Sequence, residues 1–137
     1  MIYLDTNILI YPIVSTNEKR EECILILNKI INKEISACTS CLTWDEFFYS
    51  IKKALGREYA IIEGKKLLQI PNLEVLEVNK MTISKAQEIA EAYKLDPRDA
   101  IHAASAILND CKEIISDDPD FDKVKELKRI SPEKFSN

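Results

Sequence analysis

Short apolar runs alternate with longer segments of helical periodicity along the whole chain. The apolar runs are too short for helices and are bounded by turn-forming residues, which predicts strands. Five strands are predicted, at residues 1–4, 35–40, 73–78, 113–116 and 129–131. Between them apolar residues recur every three or four positions, most clearly at Ile83, Ala86, Ile89, Ala90 and Tyr93, and this spacing predicts amphipathic helices.

Helices are predicted at residues 8–14, 15–32, 43–55, 58–69, 83–93 and 96–109, with a short helical turn from residue 119. Two of the helix starts have the pattern of a capping box, formed by Ser15 with Glu18 and by Thr43 with Glu46. A third start combines Asp96 as N-cap with a proline at the first helical position. Strands that alternate with helices predict βαβ units, and therefore a parallel sheet with helices on both faces. The length of 137 residues predicts one domain, residues 1–137.

Four acidic residues stand where a predicted strand ends or a predicted helix begins, namely Asp5, Glu46, Asp99 and Asp118. Strand ends and helix starts share one edge of a parallel sheet, so these side chains are expected to converge. Carboxylates at close range do not all stay ionised without a cation between them. Oxygen ligands favour Mg²⁺ or Mn²⁺ over zinc or copper, so metal-assisted hydrolysis is the leading interpretation.

Three of these acids also have a purely structural explanation. Glu46 is placed to complete the capping box with Thr43. Asp99 lies in the first turn of a helix, where an acid suits the helix dipole, and Asp118 is placed to cap the following turn. Asp5 has no such explanation, because the helix after it is too short to demand an acidic cap. Even as caps, the acids would gather at the same edge of the sheet.

Composition narrows the classes of function. The chain has only two glycines, so it contains no glycine-rich phosphate loop, which excludes the common nucleotide-binding motifs. The net charge of −4 argues against a basic coat for nucleic acid but leaves room for a local patch. The sequence has neither a signal-peptide pattern nor an apolar run long enough for a membrane helix, so a cytoplasmic protein without a membrane partner is expected.

Cys38 and Cys41 form a C-x-x-C, but without further ligands at zinc spacing, buried and reduced thiols are expected.

One histidine and a cluster of aromatic and basic residues complete the candidates. His102 lies one turn after Asp99, and a half-buried ring that is hydrogen-bonded to the backbone is expected there, not a catalytic group. Among the aromatic residues of the helix from residue 43, Phe47 is expected in the core, with Trp44 and Tyr49 at an interface. The basic residues that follow them on adjacent helices are Lys52, Lys53, Arg57, Lys65 and Lys66. These residues form either a solvated face or a patch that contacts phosphates.

Four segments of the chain match the motifs of a known family, in order and spacing. They are Asp5-Thr6-Asn7, Thr43-x-x-Glu46, Asp99-Ala100-Ile101-His102-Ala103-Ala104 and Ser116-Asp117-Asp118-Pro119-Asp120-Phe121. The pattern resembles the PIN-domain ribonucleases over nearly the whole chain, and by size it is most similar to the VapC-like toxins of toxin–antitoxin pairs. Ser116 departs from the threonine that is usual in the family, although it keeps the hydroxyl. The acidic balance of charge is a second departure, because the substrate of the family is RNA.

The resemblance implies a PIN-like three-layer α/β/α sandwich around a mainly parallel five-stranded sheet. It implies an endoribonuclease that hydrolyses phosphodiester bonds of single-stranded RNA with Mg²⁺ or Mn²⁺. It also implies a homodimer and a cognate antitoxin protein, whose helix is expected in a groove near Trp44, Phe48 and Tyr49.

The roles of individual residues follow from the same resemblance. Asp5, Asp99 and Asp118 would be metal ligands, and Glu46 would complete the catalytic cluster directly or through water. The auxiliary candidates are Asn7, Ser116 and Asp120, and the candidates for RNA binding are Lys52, Lys53 and Arg57.

Three other functions stay open on the residues alone: a housekeeping RNA-processing nuclease, a non-catalytic PIN-fold binding module, and a phosphatase with an aspartyl nucleophile. The phosphatase would use Asp5 covalently and needs a second aspartate two residues later, where this chain has Asn7. A pure binding module would be expected to lose an acid, and all four are present.

Overall fold

The computed structural model describes residues 1–137 and contains one five-stranded sheet. Its strands are β1 (Ile2–Leu4), β2 (Ala37–Ser40), β3 (Leu73–Leu76), β4 (Glu113–Ile115) and β5 (Lys128–Ile130). All neighbouring strands are parallel, and their order is β3-β2-β1-β4-β5. The predicted five-stranded parallel sheet is confirmed.

The helices are α1 (Thr6–Val14), α2 (Glu18–Ile31), α3 (Cys41–Leu55), α4 (Arg57–Leu67), α5 (Lys80–Tyr93), α6 (Pro97–Leu108) and α7 (Pro132–Ser136). A 3₁₀ helix, η1, spans Pro119–Lys123 at the predicted helical turn. Helix α7 was not predicted from the sequence. This helix starts because the Ser131 hydroxyl accepts a hydrogen bond from the Lys134 backbone N–H at 3.2 Å and a proline follows the cap.

The helices cover both faces of the sheet and enclose two hydrophobic cores. The first core contains Tyr3 and Ile114 with residues of α5 and α6, and the second contains Leu4 and Ile115 with residues of α1 to α4. Adjacent residues of a strand point to opposite faces, so β1 and β4 each contribute to both cores. The architecture is therefore the expected three-layer α/β/α sandwich. None of its helices combines the length and the apolar character needed to cross a bilayer.

Helix α2 begins later than its capping pattern predicted. Asn17 is the N-cap, and its side-chain oxygen accepts a hydrogen bond from the Lys19 backbone N–H at 3.0 Å. The hydroxyl of Ser15 donates to the same Asn17 oxygen at 2.7 Å. The predicted capping box of Ser15 with Glu18 is therefore wrong, because an asparagine two residues later supplies the cap.

Helix α3 begins earlier than predicted, and this difference matters for the site. The helix starts at Cys41, directly after β2, so Thr43 already lies inside it. The Thr43 hydroxyl is 2.6 Å from the hydroxyl of Thr39. The predicted capping box of Thr43 with Glu46 is therefore wrong, and the carboxylate of Glu46 is available for another role.

The central strand β1 marks the point where the strand order reverses. The chain runs from β1 outward through β2 to β3 on one side, and returns to β4 and β5 on the other. In open α/β sheets a crevice forms at the carboxyl ends of the strands at such a point. The segments that follow β1, β2 and β4 therefore meet at one edge.

Candidate active site

The first acid, Asp5, is buried directly after β1 and is held by three donors. Its Oδ1 accepts the Thr6 backbone N–H at 2.8 Å, and its Oδ2 accepts the Asn7 amide at 3.2 Å and the Ser116 hydroxyl at 2.5 Å. The Ser116 oxygen also accepts the Asp118 backbone N–H at 3.0 Å, so it links two of the predicted acids. Burial raises the pKa of Asp5, against the lowering effects of His102 and Ser116.

Glu46 points from the second turn of α3 into the same edge. Its Oε1 accepts a hydrogen bond from the Thr6 hydroxyl at 2.9 Å and another from His102 Nε2. Burial raises the pKa of Glu46, but the hydrogen bond and charge from His102 outweigh burial and leave the pKa lowered. Glu46 is therefore ionised and anchored through one of its two oxygens.

The environment of His102 differs from the predicted half-buried ring bonded to the backbone. The ring is 0% exposed, and its hydrogen bonds go to side chains: Nε2 to Glu46 and Nδ1 to the Tyr3 hydroxyl at 2.7 Å. Asp5 Oδ1 lies 3.7 Å from Nε2. Burial lowers the pKa of His102, but the hydrogen bond that its Nε2 donates to Glu46 and the charge of Asp5 outweigh burial and leave the pKa raised. The sequence-based expectation was wrong because a histidine one turn from Asp99 faces the interior that β1 and α3 enclose.

Asp99, Asp118 and Asp120 form the second part of the site. Their carboxylate oxygens lie within 4.8 Å of one another. Burial, followed by the charges of Asp118 and Asp5, raises the pKa of Asp99 to about 6. Asp118 also caps η1 as predicted, since its Oδ1 accepts the Asp120 backbone N–H at 2.9 Å. The capping role and membership of the acidic cluster therefore coexist in one residue.

Only some of the predicted site residues belong to this close group of carboxylates. The structure joins Asp99 and Asp118 with Asp120, an auxiliary candidate, while Asp5 lies outside that 4.8 Å group. Asp5 is connected to the group through the hydroxyl of Ser116.

The donors of this site fit a hard divalent cation. They are carboxylate oxygens, and the raised pKa of Asp99 indicates that negative charge there is only partly compensated. The side-chain oxygen of Asn7 is also buried and makes no hydrogen bond, although its amide nitrogen bonds Asp5. A Lys123 ammonium 3.5 Å from Asp120 is the one basic group paired with the three clustered aspartates. Zinc is a poorer match, since His102 is enclosed and already paired.

An open cleft of about 560 Å³ lies beside the acids and is lined by Glu46, Asp96, Pro97, Arg98 and Asp99. Arg98 is the only basic residue of this lining, and its guanidinium is 4.0 Å from Asp45. Arg98 was not among the residues predicted to bind RNA. A signal was present, since a basic residue in the first turn of a helix opposes the helix dipole and so calls for another explanation.

The predicted RNA-binding residues Lys52, Lys53 and Arg57 are all exposed, but they lie away from this cleft. Lys52 follows Glu46 by six residues on α3, which corresponds to about 9 Å along the helix axis. The guanidinium of Arg57 lies over the ring of Phe48, 5.9 Å from its centroid.

The aromatic residues of α3 divide as the sequence predicted. Phe47 is buried, whereas Trp44 is 42% exposed and Tyr49 is 64% exposed. The ring of Trp44 packs against Phe48 with centroids 5.3 Å apart. Gly64 on α4 lies so close to Trp44 that an added Cβ would be 3.3 Å from the indole nitrogen, so α4 covers part of this pair.

The cysteines divide differently from the expectation of four buried thiols. Cys23, Cys38 and Cys111 are buried, but Cys41 is exposed at the start of α3. The C-x-x-C is therefore split between the core and the surface, and the thiol of Cys38 instead lies 3.5 Å from that of Cys111.

Comparison with known proteins gives one family. The family model described as PIN domain matches residues 2–127. Among curated proteins, the chain is similar to Ribonuclease VapC2 of Methanocaldococcus jannaschii. The two sequences are 28% identical over an alignment of 141 positions, which covers 94% of this chain and 92% of that protein.

Solved structures agree with the fold. VapBC2 from Rickettsia felis, bound to a DNA fragment from its promoter, matches with a TM-score of 0.74 at 20% identity, over 96% of this chain and 98% of that chain. VapC20 from Mycobacterium tuberculosis, described as a sarcin–ricin loop cleaving toxin, matches with a TM-score of 0.73 at 13% identity, over 89% and 93%.

Proposed function

The chain belongs to the PIN domain family, and we propose that it is an endoribonuclease that hydrolyses phosphodiester bonds of single-stranded RNA with Mg²⁺ or Mn²⁺. We propose further that it is the toxin of a toxin–antitoxin pair. The observation that carries the proposal is the group of Asp99, Asp118 and Asp120, three carboxylates within 4.8 Å beside an open cleft.

The acidic residues have distinct parts in this proposal. Asp99 and Asp118 would hold the cation, with Asp120 and Asp5 beside them and Glu46 completing the cluster. When bound, the ion lowers the pKa of a water molecule and neutralises charge on the phosphate. The Ser116 hydroxyl fixes the relative positions of Asp5 and Asp118, since it bonds to both residues.

Substrate binding would fall to the cleft itself. Arg98 is 66% exposed in its side chain and shares the cleft with Glu46 and Asp99, so it is placed to pair with an RNA phosphate. Lys52, Lys53 and Arg57 would contact only an RNA segment that runs further, to the end of α3 and the start of α4. In the reaction, water attacks the phosphorus and the bond to the 3′ oxygen breaks, which gives a 5′-phosphate and a 3′-hydroxyl.

An apolar groove supports the partner proposal. It has a volume of about 200 Å³ and is lined by Leu9, Pro12, Ile13, Leu27, Phe47, Glu63, Lys66, Leu67 and Ile70. An amphipathic antitoxin helix would fit such a surface. We therefore place the antitoxin helix there and revise the expected position near Trp44, Phe48 and Tyr49, because α4 already covers part of the Trp44–Phe48 pair.

Large apolar side chains on α4 and directly after it are exposed to solvent, which supports a homodimer. Tyr59, Ile61, Ile62 and Leu68 are each more than half exposed. Static light scattering should give twice the chain mass of 15.7 kDa. A mass of one chain at micromolar concentration would contradict this part of the proposal.

The nuclease proposal is tested by incubating the purified protein with single-stranded RNA. We expect cleavage with Mn²⁺, none with excess EDTA, and product ends that carry a 5′-phosphate. Asp99→Asn should lose nearly all activity, whereas Asp110→Asn, at an exposed acid outside the cleft, should cleave like the wild type. Products with a 2′,3′-cyclic phosphate would contradict the attack by water.

Two alternatives are separated by simple further observations. A housekeeping nuclease would cleave RNA, but its induced expression would leave growth of a bacterial host unchanged. A non-catalytic module would bind its partner with no RNA cleavage at any concentration of Mn²⁺.

A further inference from the structure

We propose that His102 is a positioning residue: its imidazole, oriented by Tyr3 and Ser40, holds one carboxylate oxygen of Glu46 so that the other oxygen stays available to the cleft. This inference rests on the proposed function, because it names a residue that prepares the same site. It concerns a side chain that has no access to substrate, since the His102 ring is 0% exposed.

The contacts of the imidazole use both of its nitrogens. Nε2 is hydrogen-bonded to Glu46 Oε1 and lies 3.3 Å from the Thr6 hydroxyl. Nδ1 is hydrogen-bonded to the hydroxyl of Tyr3 at 2.7 Å. With a partner at each end, the ring has one orientation in which both bonds form. A residue that only filled space in the core would not need either bond.

The contacts continue beyond Tyr3 and reach the next strand. The Tyr3 hydroxyl donates to Ser40 Oγ at 2.9 Å, and both residues are 0% exposed. Tyr3 stands two residues before Asp5 on β1, and Ser40 is the last residue before α3, the helix that carries Glu46. The row of side chains from Ser40 to Glu46 therefore joins β2, β1, α6 and α3, the elements that carry or precede three of the four acids.

The consequence for Glu46 follows from which oxygen is used. Both of its hydrogen bonds, from Thr6 and from His102, end on Oε1. Oε2 makes no hydrogen bond to the protein, and Glu46 lines the cleft. A glutamate has several rotamers, so two donors on one oxygen select the conformer that the site uses. Partners of this kind typically change metal affinity or activity by about 10- to 100-fold when they are removed.

Ser105 provides an internal comparison one turn further along α6. It is also a buried polar residue, 1% exposed, but its hydroxyl makes no hydrogen bond. Loss of the Ser105 hydroxyl changes the core of the same helix without touching the row of contacts. Ser105→Ala is therefore a matched control for substitutions of His102 and Tyr3.

The experiment compares five purified proteins: wild type, His102→Leu, His102→Gln, Tyr3→Phe and Ser105→Ala. Binding of Mn²⁺ alone is measured by isothermal titration calorimetry, and kcat and KM for RNA cleavage are measured separately. We expect His102→Leu to weaken Mn²⁺ binding roughly 10- to 100-fold and to lower kcat more than it raises KM. His102→Gln should recover part of both, because its amide can still donate to Glu46, and Ser105→Ala should match the wild type.

Tyr3→Phe keeps the test valid if His102→Leu does not fold. The phenyl ring stays in the core and only the hydroxyl is lost, so a several-fold loss of Mn²⁺ affinity with a native circular dichroism spectrum supports the proposal. Wild-type Mn²⁺ affinity and kcat in both Tyr3→Phe and the folded His102 variants would overturn it. Failure of the wild type itself to bind Mn²⁺ and cleave RNA would overturn the proposed function as well, which distinguishes the two failures.

Discussion

The two parts of the acidic site differ in how their charges are compensated. Asp5 and Glu46, the bonded pair, receive hydrogen bonds from Thr6, Asn7, Ser116 and His102. Asp99, Asp118 and Asp120, the open trio, face one another within 4.8 Å, and Asp99 makes no side-chain hydrogen bond to the protein. The pKa of Glu46 is lowered, whereas the pKa of Asp99 is raised to about 6. Burial also raises the pKa of Asp5, although His102 and Ser116 oppose that effect.

This contrast separates two ways of building an acidic site. The fold itself supplies the donors of the bonded pair, so these side chains are oriented before any ligand arrives. The open trio keeps negative charges close together with little compensation from the protein, and a bound cation would relieve that repulsion. Neutralising Glu46 and neutralising Asp99 should therefore change stability in opposite directions even where both reduce activity.

The largest expected effect is the loss of cleavage in Asp99→Asn. We expect kcat to fall roughly 100- to 1,000-fold, because the substitution removes a charge that the cation and the transition state require. Without metal, the same variant should unfold at a higher temperature than the wild type, because the cost of burying the charge and the repulsion from Asp118 and Asp5 are removed. Initial rates and calorimetry in EDTA measure both effects. A less stable Asp99→Asn would show that the open trio is not strained, and Asp110→Asn is the control.

Metal binding should give the next largest effect. At a concentration of 100 times its dissociation constant, Mn²⁺ should stabilise the folded state by about 2.7 kcal/mol, which is several degrees in Tm for a domain of this size. Differential scanning calorimetry with and without MnCl₂ tests this for the wild type and Asp99→Asn. An equal rise in Tm for both proteins would place the bound metal outside the open trio.

The bonded pair should respond in the opposite sense. Glu46→Gln should lower the free energy of unfolding by about 1.5 kcal/mol, because the buried His102 loses a charged partner. The reason is specific to this pair, in which Glu46 and His102 stabilise each other's charged form. Chemical denaturation measures the change. An unchanged or increased stability would mean that Glu46 is not held by the imidazole.

The pH dependence of stability provides a smaller test. In the folded state the pKa of Asp99 is about 6, above its ordinary 3.8, so the ionised carboxylate destabilises the metal-free protein above pH 6. This penalty decreases as the pH falls from 6 towards 4, because the folded state takes up the proton first. In EDTA the free energy of unfolding of Asp99→Asn should therefore exceed that of the wild type at pH 7.5, by about 1 kcal/mol after allowance for solvent screening, and by less at pH 5. A gap that widens at pH 5 would contradict the raised pKa.

The smallest expected effect concerns Arg98, which belongs to neither part. Arg98→Ala should raise the KM for RNA several-fold with little change in kcat, because it removes one phosphate contact and its contribution to the salt dependence of binding. Lys53→Ala, at an exposed basic residue in the last turn of α3, is the comparison. A larger effect from Lys53→Ala would place the RNA path along the end of α3.

Much of the fold could be predicted from the sequence, because its strands and helices have clear patterns of apolar and polar residues. All five strands and the parallel sheet followed from short apolar runs between amphipathic segments. The starts of two helices were predicted less well. Asn17, and not Ser15, caps α2, and α3 begins directly after β2, before Thr43. A local sequence pattern reflects only the neighbouring residues of the chain, and it does not include the contacts that residues distant in sequence make.

The sequence predicted that acidic residues gather at this edge of the sheet, but it did not predict that Asp120, and not Asp5, joins Asp99 and Asp118 in the closest group. Parallel-sheet geometry brings Asp5, Glu46, Asp99 and Asp118 to one edge, but the division into bonded pair and open trio depends on donors that are distant in sequence. Glu46 and His102 are 56 residues apart, and Ser116 reaches Asp5 across 111 residues. The buried environment of His102 could not be predicted for the same reason, since it depends on Tyr3 and α3.

The central claim is that the open trio is the metal-binding part of this site. Crystals of the wild-type protein soaked in MnCl₂, with diffraction recorded at the manganese absorption edge, locate the ion without reference to activity. The account predicts an anomalous peak within about 2.3 Å of carboxylate oxygens of Asp99 and Asp118, and no peak at that position in Asp99→Asn crystals. A strong peak elsewhere, with none beside Asp99 and Asp118, would contradict it.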